Sequence, residues 1–425
     1  MVNKIIYISI CIFICFLVYY LLLILIFKIK SNFWYIQPCY HFYDLHYIFY
    51  NNQVIQKELP KINSFVSFEK VVTYSPDDIQ KETFNYIIEL LKKEYYHTKN
   101  AVYNPTIHSI IPYLSKNYYN SYISLAVTPN YIVDTTKNIS DNTNHIIKYN
   151  DIIGCIMSKS ICITLHNDEF YSYYVDFFCI KREFRKLGYS EIMIQSHEYS
   201  NRMKTRDIQV HLFKREGDIT GIVPVVKYDT FLYELNNYVS LLTPSTFLYN
   251  VKNIFNINSP ILLKITKSNI QILYEYLTNI KNTNLFHFIA TVHISNFIEL
   301  LETDNIYCFV LMYKQTIYAS YFLKNTFMEI EKDGVINPCL SCFASIKDNL
   351  YDTVLDYSFC QTFYQIILII QRDEKIKFSY LFIENISHNL LLINECDYIS
   401  KTKTAYFLYN YILQPLKQKN VFIII

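Results

Sequence analysis

The longest apolar stretch lies at the start of the chain, where twenty-three residues from Ile5 to Phe27 pass without a charge. As a helix this run is roughly 34 Å long, enough to cross a hydrocarbon layer about 30 Å thick. A cleaved secretory leader would carry a shorter apolar region, about 7 to 15 residues, followed by a small-residue cleavage site. No such site precedes Lys28, so the pattern predicts an uncleaved anchor over residues 1–30. Lys4 nearly balances Lys28 and Lys30, so charge leaves the orientation open.

Past the anchor the pattern repeats. Ser75-Pro76-Asp77-Asp78 reads as a helix start, with a cap, a proline in the first turn and two acids, and Ile79, Ile87, Leu90 and Leu91 follow. About 190 residues later Thr266 to Asn269 opens another, with Ile270, Leu273 and Leu277 on one face. Each follows a strand-like piece, Lys70 to Thr73 and Ile261 to Ile265. This order predicts two similar α+β lobes. In the first lobe, Asp151 to Ser158 and Tyr171 to Ile180 read as strands, and a basic turn, Lys181 to Lys186, leads into a helix over Tyr189 to Asn201. A basic turn at a helix N-terminus suits an anion, because free amides and the helix dipole converge there. On this run alone a solvated charged face is the competing reading.

Composition removes several chemistries. Apolar residues make up 52% and charged residues 18% of the 425, a profile that folds rather than one of disorder. Only five glycines occur, and no dinucleotide fingerprint, Walker loop or nucleophile elbow can be written with them. A net charge of +2 argues against nucleic acid as a partner. The eleven cysteines are scattered, two of them in the apolar run, which suits reduced thiols and a body facing the cytosol. The pair Cys339 and Cys342 has no second pair at zinc spacing, and the eleven histidines form no metal motif, so no metal is expected.

Four segments carry a resemblance. Arg185-Lys186-Leu187-Gly188-Tyr189-Ser190 resembles the loop by which acetyltransferase-like folds hold the CoA pyrophosphate. Val175 to Ile180 (VDFFCI) is similar to the N-myristoyltransferase stretch INFLCV, Phe33 to Pro38 (FWYIQP) to FWxTQP, and Tyr406 to Tyr411 (YFLYNY) to YYLYNW. Thr220 to Val223 also looks like the family's TAGIV with one residue missing. Along the chain the segments follow in the family's order from Phe33 to Tyr411, nearly the whole chain after the anchor, and the chain resembles the N-myristoyltransferase family.

The resemblance implies an α+β fold of two pseudo-symmetric acetyltransferase-like lobes sharing a mixed sheet. Residues 31–240 would bind acyl-CoA and residues 241–425 the peptide. It also implies a monomer that transfers myristate from the co-substrate myristoyl-CoA, without a cofactor, to N-terminal glycines of proteins. Carried across, the amides of Phe177 and Phe178 form the oxyanion hole, and the terminal carboxylate at Ile425 is the base. Phe33, Trp34, Ile180 and the loop Arg185 to Ser190 hold CoA, while Asp176, Thr220 and Gly221 meet the substrate glycine. The departures are Asp176 in place of an Asn, Lys186-Leu187-Gly188 in the phosphate loop, and Lys401 to Thr404 where the family has GDGN. Another acyl-CoA N-acyltransferase of this fold, or a membrane-tethered acyl-CoA binder without activity, stays open on these departures.

Overall fold

The computed structural model describes residues 2–96, 98, 100–133, 146–166, 168–217, 221–240, 260–313, 316–348, 354–395 and 397–425. Its first element is helix α1 (Val2–Lys30). Within it Lys4–Lys30 contains an 18-residue window of mean hydropathy 3.1 that is almost wholly uncovered by the rest of the molecule, and the helix is long and apolar enough to cross a membrane. Only a stripe at its end, Tyr20, Leu23, Ile24 and Phe27, is partly or fully buried, at the spacing that puts four residues on one helical face.

The body is built twice from one element order. The first copy runs β1 (Val71–Tyr74), α2 (Lys81–Glu94), β2 (Ala101–Tyr103), α3 (Ile107–Leu114), β3 (Tyr122–Val133), β4 (Ile146–Leu165), β5 (Asp168–Ile180), α4 (Tyr189–Lys204), β6 (Val210–Glu216) and β7 (Val226–Glu234). The second runs β8 (Ile261–Lys264), α5 (Ile270–Asn282), β9 (Phe288–Thr291), α6 (Ile294–Glu302), β10 (Ile306–Tyr313), β11 (Thr316–Lys332), β12 (Val335–Lys347), α7 (Val354–Asp373), β13 (Tyr380–Glu384) and β14 (Ser400–Tyr409). A last strand, β15 (Val421–Ile424), follows. In both copies the fifth and sixth strands are parallel across a helix, β5 with β6 and β12 with β13, while the hairpins before them are antiparallel. The two-lobed repeat expected from the helix signals is present.

These fifteen strands join one sheet, because the copies exchange strands, while Gln53–Val54 and Tyr411–Ile412 pair apart from it. β2 of the first pairs β11 of the second, and β9 of the second pairs β4 of the first. At the centre β14 lies between β6 and β7, while β7 lies between β14 and β13. The largest apolar core accordingly takes side chains from both copies, among them Ile161, Leu212, Phe288, Phe322, Leu408 and Phe422. The junction drawn at residue 240 adjoins 241–259, which lie outside the described residues.

One helix start differs from the pattern. Pro76–Asp78 forms a single 3-10 turn, Ile79 is extended at φ −92° and ψ 125°, and α2 begins only at Lys81. Ile79 breaks the helix because it packs against the core beneath α2. Cys339 and Cys342 are buried strand residues of β12. Among the described residues no three His, Cys, Asp or Glu side chains gather as a metal site.

Candidate functional site

The site forms where two parallel strands part. β5 and β6 are paired from Ser172 opposite Val210 to Val175 opposite Phe213, and beyond that β6 pairs only β14. At the same level the ladder between β5 and β4 slips: Cys155 faces Cys179 and Met157 faces Asp176, so Ile156 alone stands opposite Phe177 and Phe178. Two residues against one is a bulge, which turns backbone groups out of the ladder. It holds Phe177 in the left-handed region at φ 53°, a costly conformation for an aromatic residue that its packing among Tyr95, Tyr103 and Tyr113 sustains.

A cavity of about 770 Å³ passes through the gap. Asp176, Phe177 and Phe178 line it on the β5 side and Phe213 to Glu216 on the β6 side. One arm runs under α4 past Trp34, Ser190, Ile194, Glu198 and His211, and the cavity also reaches Tyr406, Leu300 and Ile425. Asp176 closes its own loop: Oδ1 accepts the Phe177 amide at 2.8 Å and the Tyr95 hydroxyl at 2.6 Å.

The remaining predicted residues divide. Trp34 lines the cavity and stacks on Phe213 with centroids 6.0 Å apart, whereas Phe33 is buried behind it against Phe65. Gly188, at φ 82°, caps α4, and a Cβ there would meet open space. Ser190 of the first turn lines the cavity, Leu187 projects into solvent, Lys186 takes a left-handed φ of 65°, and Tyr189 packs edge-on against Phe184. Arg185 is tied inward, with Nε on the Ile180 carbonyl at 2.9 Å and Nη2 on Glu94 at 2.8 Å. Gly221 lies under α1: a Cβ there would sit 2.5 Å from the Phe27 ring. Thr220 lies outside the described residues. β15 runs parallel to β9, Ile424 opposite Thr291, and this register delivers Ile425 to the cavity.

Among solved structures, Saccharomyces cerevisiae N-myristoyltransferase with bound myristoyl-CoA matches 93% of this chain and 99% of its own at a TM-score of 0.67, with 13% identity. A second structure of that enzyme with bound myristoyl-CoA matches 92% and 90% at 0.65, again with 13% identity. The fold is that of N-myristoyltransferase. No family profile and no curated protein matches the sequence.

Within this N-myristoyltransferase fold the cavity carries charges that no motif marked. Glu384, at the end of β13, accepts Lys214 Nζ at 3.0 Å and the Tyr228 hydroxyl at 2.6 Å, with Lys324 Nζ at 3.8 Å. Burial alone would raise its pKa, but Lys214, Lys324 and Tyr228 outweigh that and hold the carboxyl below its usual range. Burial pushes Lys324 down; at Lys214 burial pulls the same way but is outweighed by Glu384 acting together with Tyr406, Glu216 and Tyr96, which push it up. Under α4, burial lifts Glu198 to about 7 against the pull of Arg202 and drops His211 to about 3, so His211 is neutral. The partners of Glu384 come from strands far apart in sequence, which is why periodicity and spacing were silent about them.

Proposed function

We propose that the protein is an acyl-CoA N-acyltransferase that moves myristate from myristoyl-CoA to the N-terminal glycine amine of protein substrates. The observation that carries this reading is the bulge at Phe177 and Phe178 facing a cavity open on both sides of the parted strands. An acyl thioester threaded from the α4 side would bring its carbonyl to that bulge, and an amine would arrive from the other side.

The chemistry asked of the chain is modest. A glycine ammonium, with a reference pKa near 8, loses a proton to the proposed base, the terminal carboxylate of Ile425. The neutral amine then attacks the thioester carbon, the Phe177 and Phe178 amides receive the developing oxyanion, and the C–S bond breaks as the CoA sulfur takes the amine's second proton. Amide donors placed in a dry site are worth roughly 3 to 4 kcal/mol each. Because the Phe177 amide is bonded to Asp176, the ammonium has a further task in this reading. It draws the Asp176 carboxylate to itself and frees the amide for the oxyanion.

The same bond supports a second reading, a tethered acyl-CoA binder without turnover, in which Asp176 keeps the amide. Transfer of labelled myristate from CoA to a panel of N-terminal glycine peptides separates the two. Stabilisation by myristoyl-CoA with no labelled peptide favours the binder, and neither response removes both. The proposed setting is a single-pass membrane protein held by α1, with the body in the cytosol and the chain acting as a monomer.

A further inference from the structure

The segment after α1 does not leave the helix behind but folds back along it. The Tyr20 hydroxyl donates to the Tyr43 carbonyl, and the Phe27 ring meets Phe42 edge-on at 5.9 Å and Tyr43 at 5.8 Å. If α1 crosses a bilayer, as the proposed setting has it, this contact fixes a depth. The sixteen residues from Ile5 to Tyr20 span roughly 24 Å, short of a hydrocarbon layer of about 30 Å. The turns after Tyr20 must supply the remaining ~6 Å, and the folded-back segment is packed against those turns.

We propose that residues 42–50 form a second membrane contact, sunk into the interfacial region of the same leaflet and setting the body's tilt. Leu45, Ile48 and Tyr50 are half-exposed and Phe49 is 89% exposed, with exposed His46 the polar side chain among them. From residue 31 to 56 the only Asp, Glu, Lys or Arg is Asp44. It is turned inward, accepting the His41 amide at 2.8 Å and lying 3.1 Å from His41 Nδ1. Much of the backbone is also bonded: the Tyr47 and Tyr50 amides donate to the Asp44 and Tyr47 carbonyls within the turns, and the Phe42 amide donates to the Gly221 carbonyl. Apolar side chains, an internalised charge and a largely bonded backbone are what an interfacial segment requires.

The test uses the full chain in phosphatidylcholine vesicles with brominated acyl chains. Trp34 is the only native tryptophan, so wild type supplies the baseline. Phe49→Trp is expected to add blue-shifted emission that brominated lipid quenches, as Phe13→Trp in mid-helix does. Quenching at Phe13→Trp but not at Phe49→Trp, whose added emission is then open to aqueous acrylamide, overturns the second contact and leaves the anchor. Burial of Phe49→Trp through association of two chains shows as a blue shift without bromine quenching and also overturns it. No quenching at Phe13→Trp removes the anchor and this proposal together.

Discussion

Asp176 and Phe177 are bonded through their own short loop: the carboxylate accepts the neighbouring amide at 2.8 Å, at the bulge where strand β5 leaves its ladder. The amide proposed for the oxyanion is therefore engaged before substrate arrives, and Tyr95 holds the same oxygen at 2.6 Å. If the ammonium is what releases it, Asp176→Asn removes the charge that draws the amine and loosens the cap on the amide. The expected result is a rise in KM for glycine peptides of roughly tenfold, about 1.4 kcal/mol, with kcat little reduced. Steady-state kinetics check this, and an unchanged KM would separate Asp176 from the amine.

Gly188 sits at φ 82° at the N-terminus of α4, where side chains other than glycine are strained. Gly188→Val should weaken myristoyl-CoA binding by about an order of magnitude, since branched bulk there obstructs anion approach to the helix amides. Calorimetry reads the affinity and a thermal melt confirms the fold. Equal affinity takes the loop out of the CoA site. Arg185→Ala makes a useful contrast, because Arg185 is paired with Glu94 and its removal also frees that carboxylate.

Glu384 is 2% exposed and paired with Lys214. Glu384→Gln leaves the Lys214 ammonium with only the more distant Glu216 carboxylate at 3.7 Å, and breaking a buried pair costs up to about 3 to 5 kcal/mol. The sign of the pH dependence follows from the lowered carboxyl pKa. Its contribution is full above the unfolded value, near 4.3, and is lost as pH falls through the lower folded value. Denaturant melts at pH 7 and in stronger acid should show the gap between wild type and Glu384→Gln closing in acid.

Glu198 behaves in the opposite sense. Its pKa is lifted to about 7 by burial, so its contribution is full below the unfolded value and is lost as pH rises through about 7. Wild type should therefore lose stability between pH 5 and pH 8 relative to Glu198→Gln. Melts of the two proteins across that range measure the difference directly. Parallel curves would mean Glu198 stays charged with Arg202 throughout.

What the sequence disclosed follows from the range of its signals. The Ile5 to Phe27 run, the paired strand-then-helix order of the two copies, and the basic turn into α4 are local patterns, and each is present in the structure. The start at Ser75 was misplaced by a few residues because Ile79 has tertiary contacts that outweigh a good N-terminal signal. The strand exchange that merges the lobes into one sheet leaves no trace in periodicity, nor does the cluster of Glu384, Lys214 and Lys324, whose members meet only after the whole sheet closes. The tie of Asp176 to its neighbour's amide depends on a bulge that alternation along β5 does not reveal.

The central claim is acyl transfer to an N-terminal amine, and single-turnover chemistry tests it most directly. Protein loaded with one equivalent of myristoyl-CoA is mixed with a peptide beginning in glycine, with its N-acetylated twin as control, and the products are read by mass spectrometry. The account predicts myristate on the glycine nitrogen of the free peptide alone, released CoA in equal amount, and loss of the reaction when residues are appended after Ile425. Intact myristoyl-CoA after prolonged incubation, with binding demonstrated in the same sample, would contradict it.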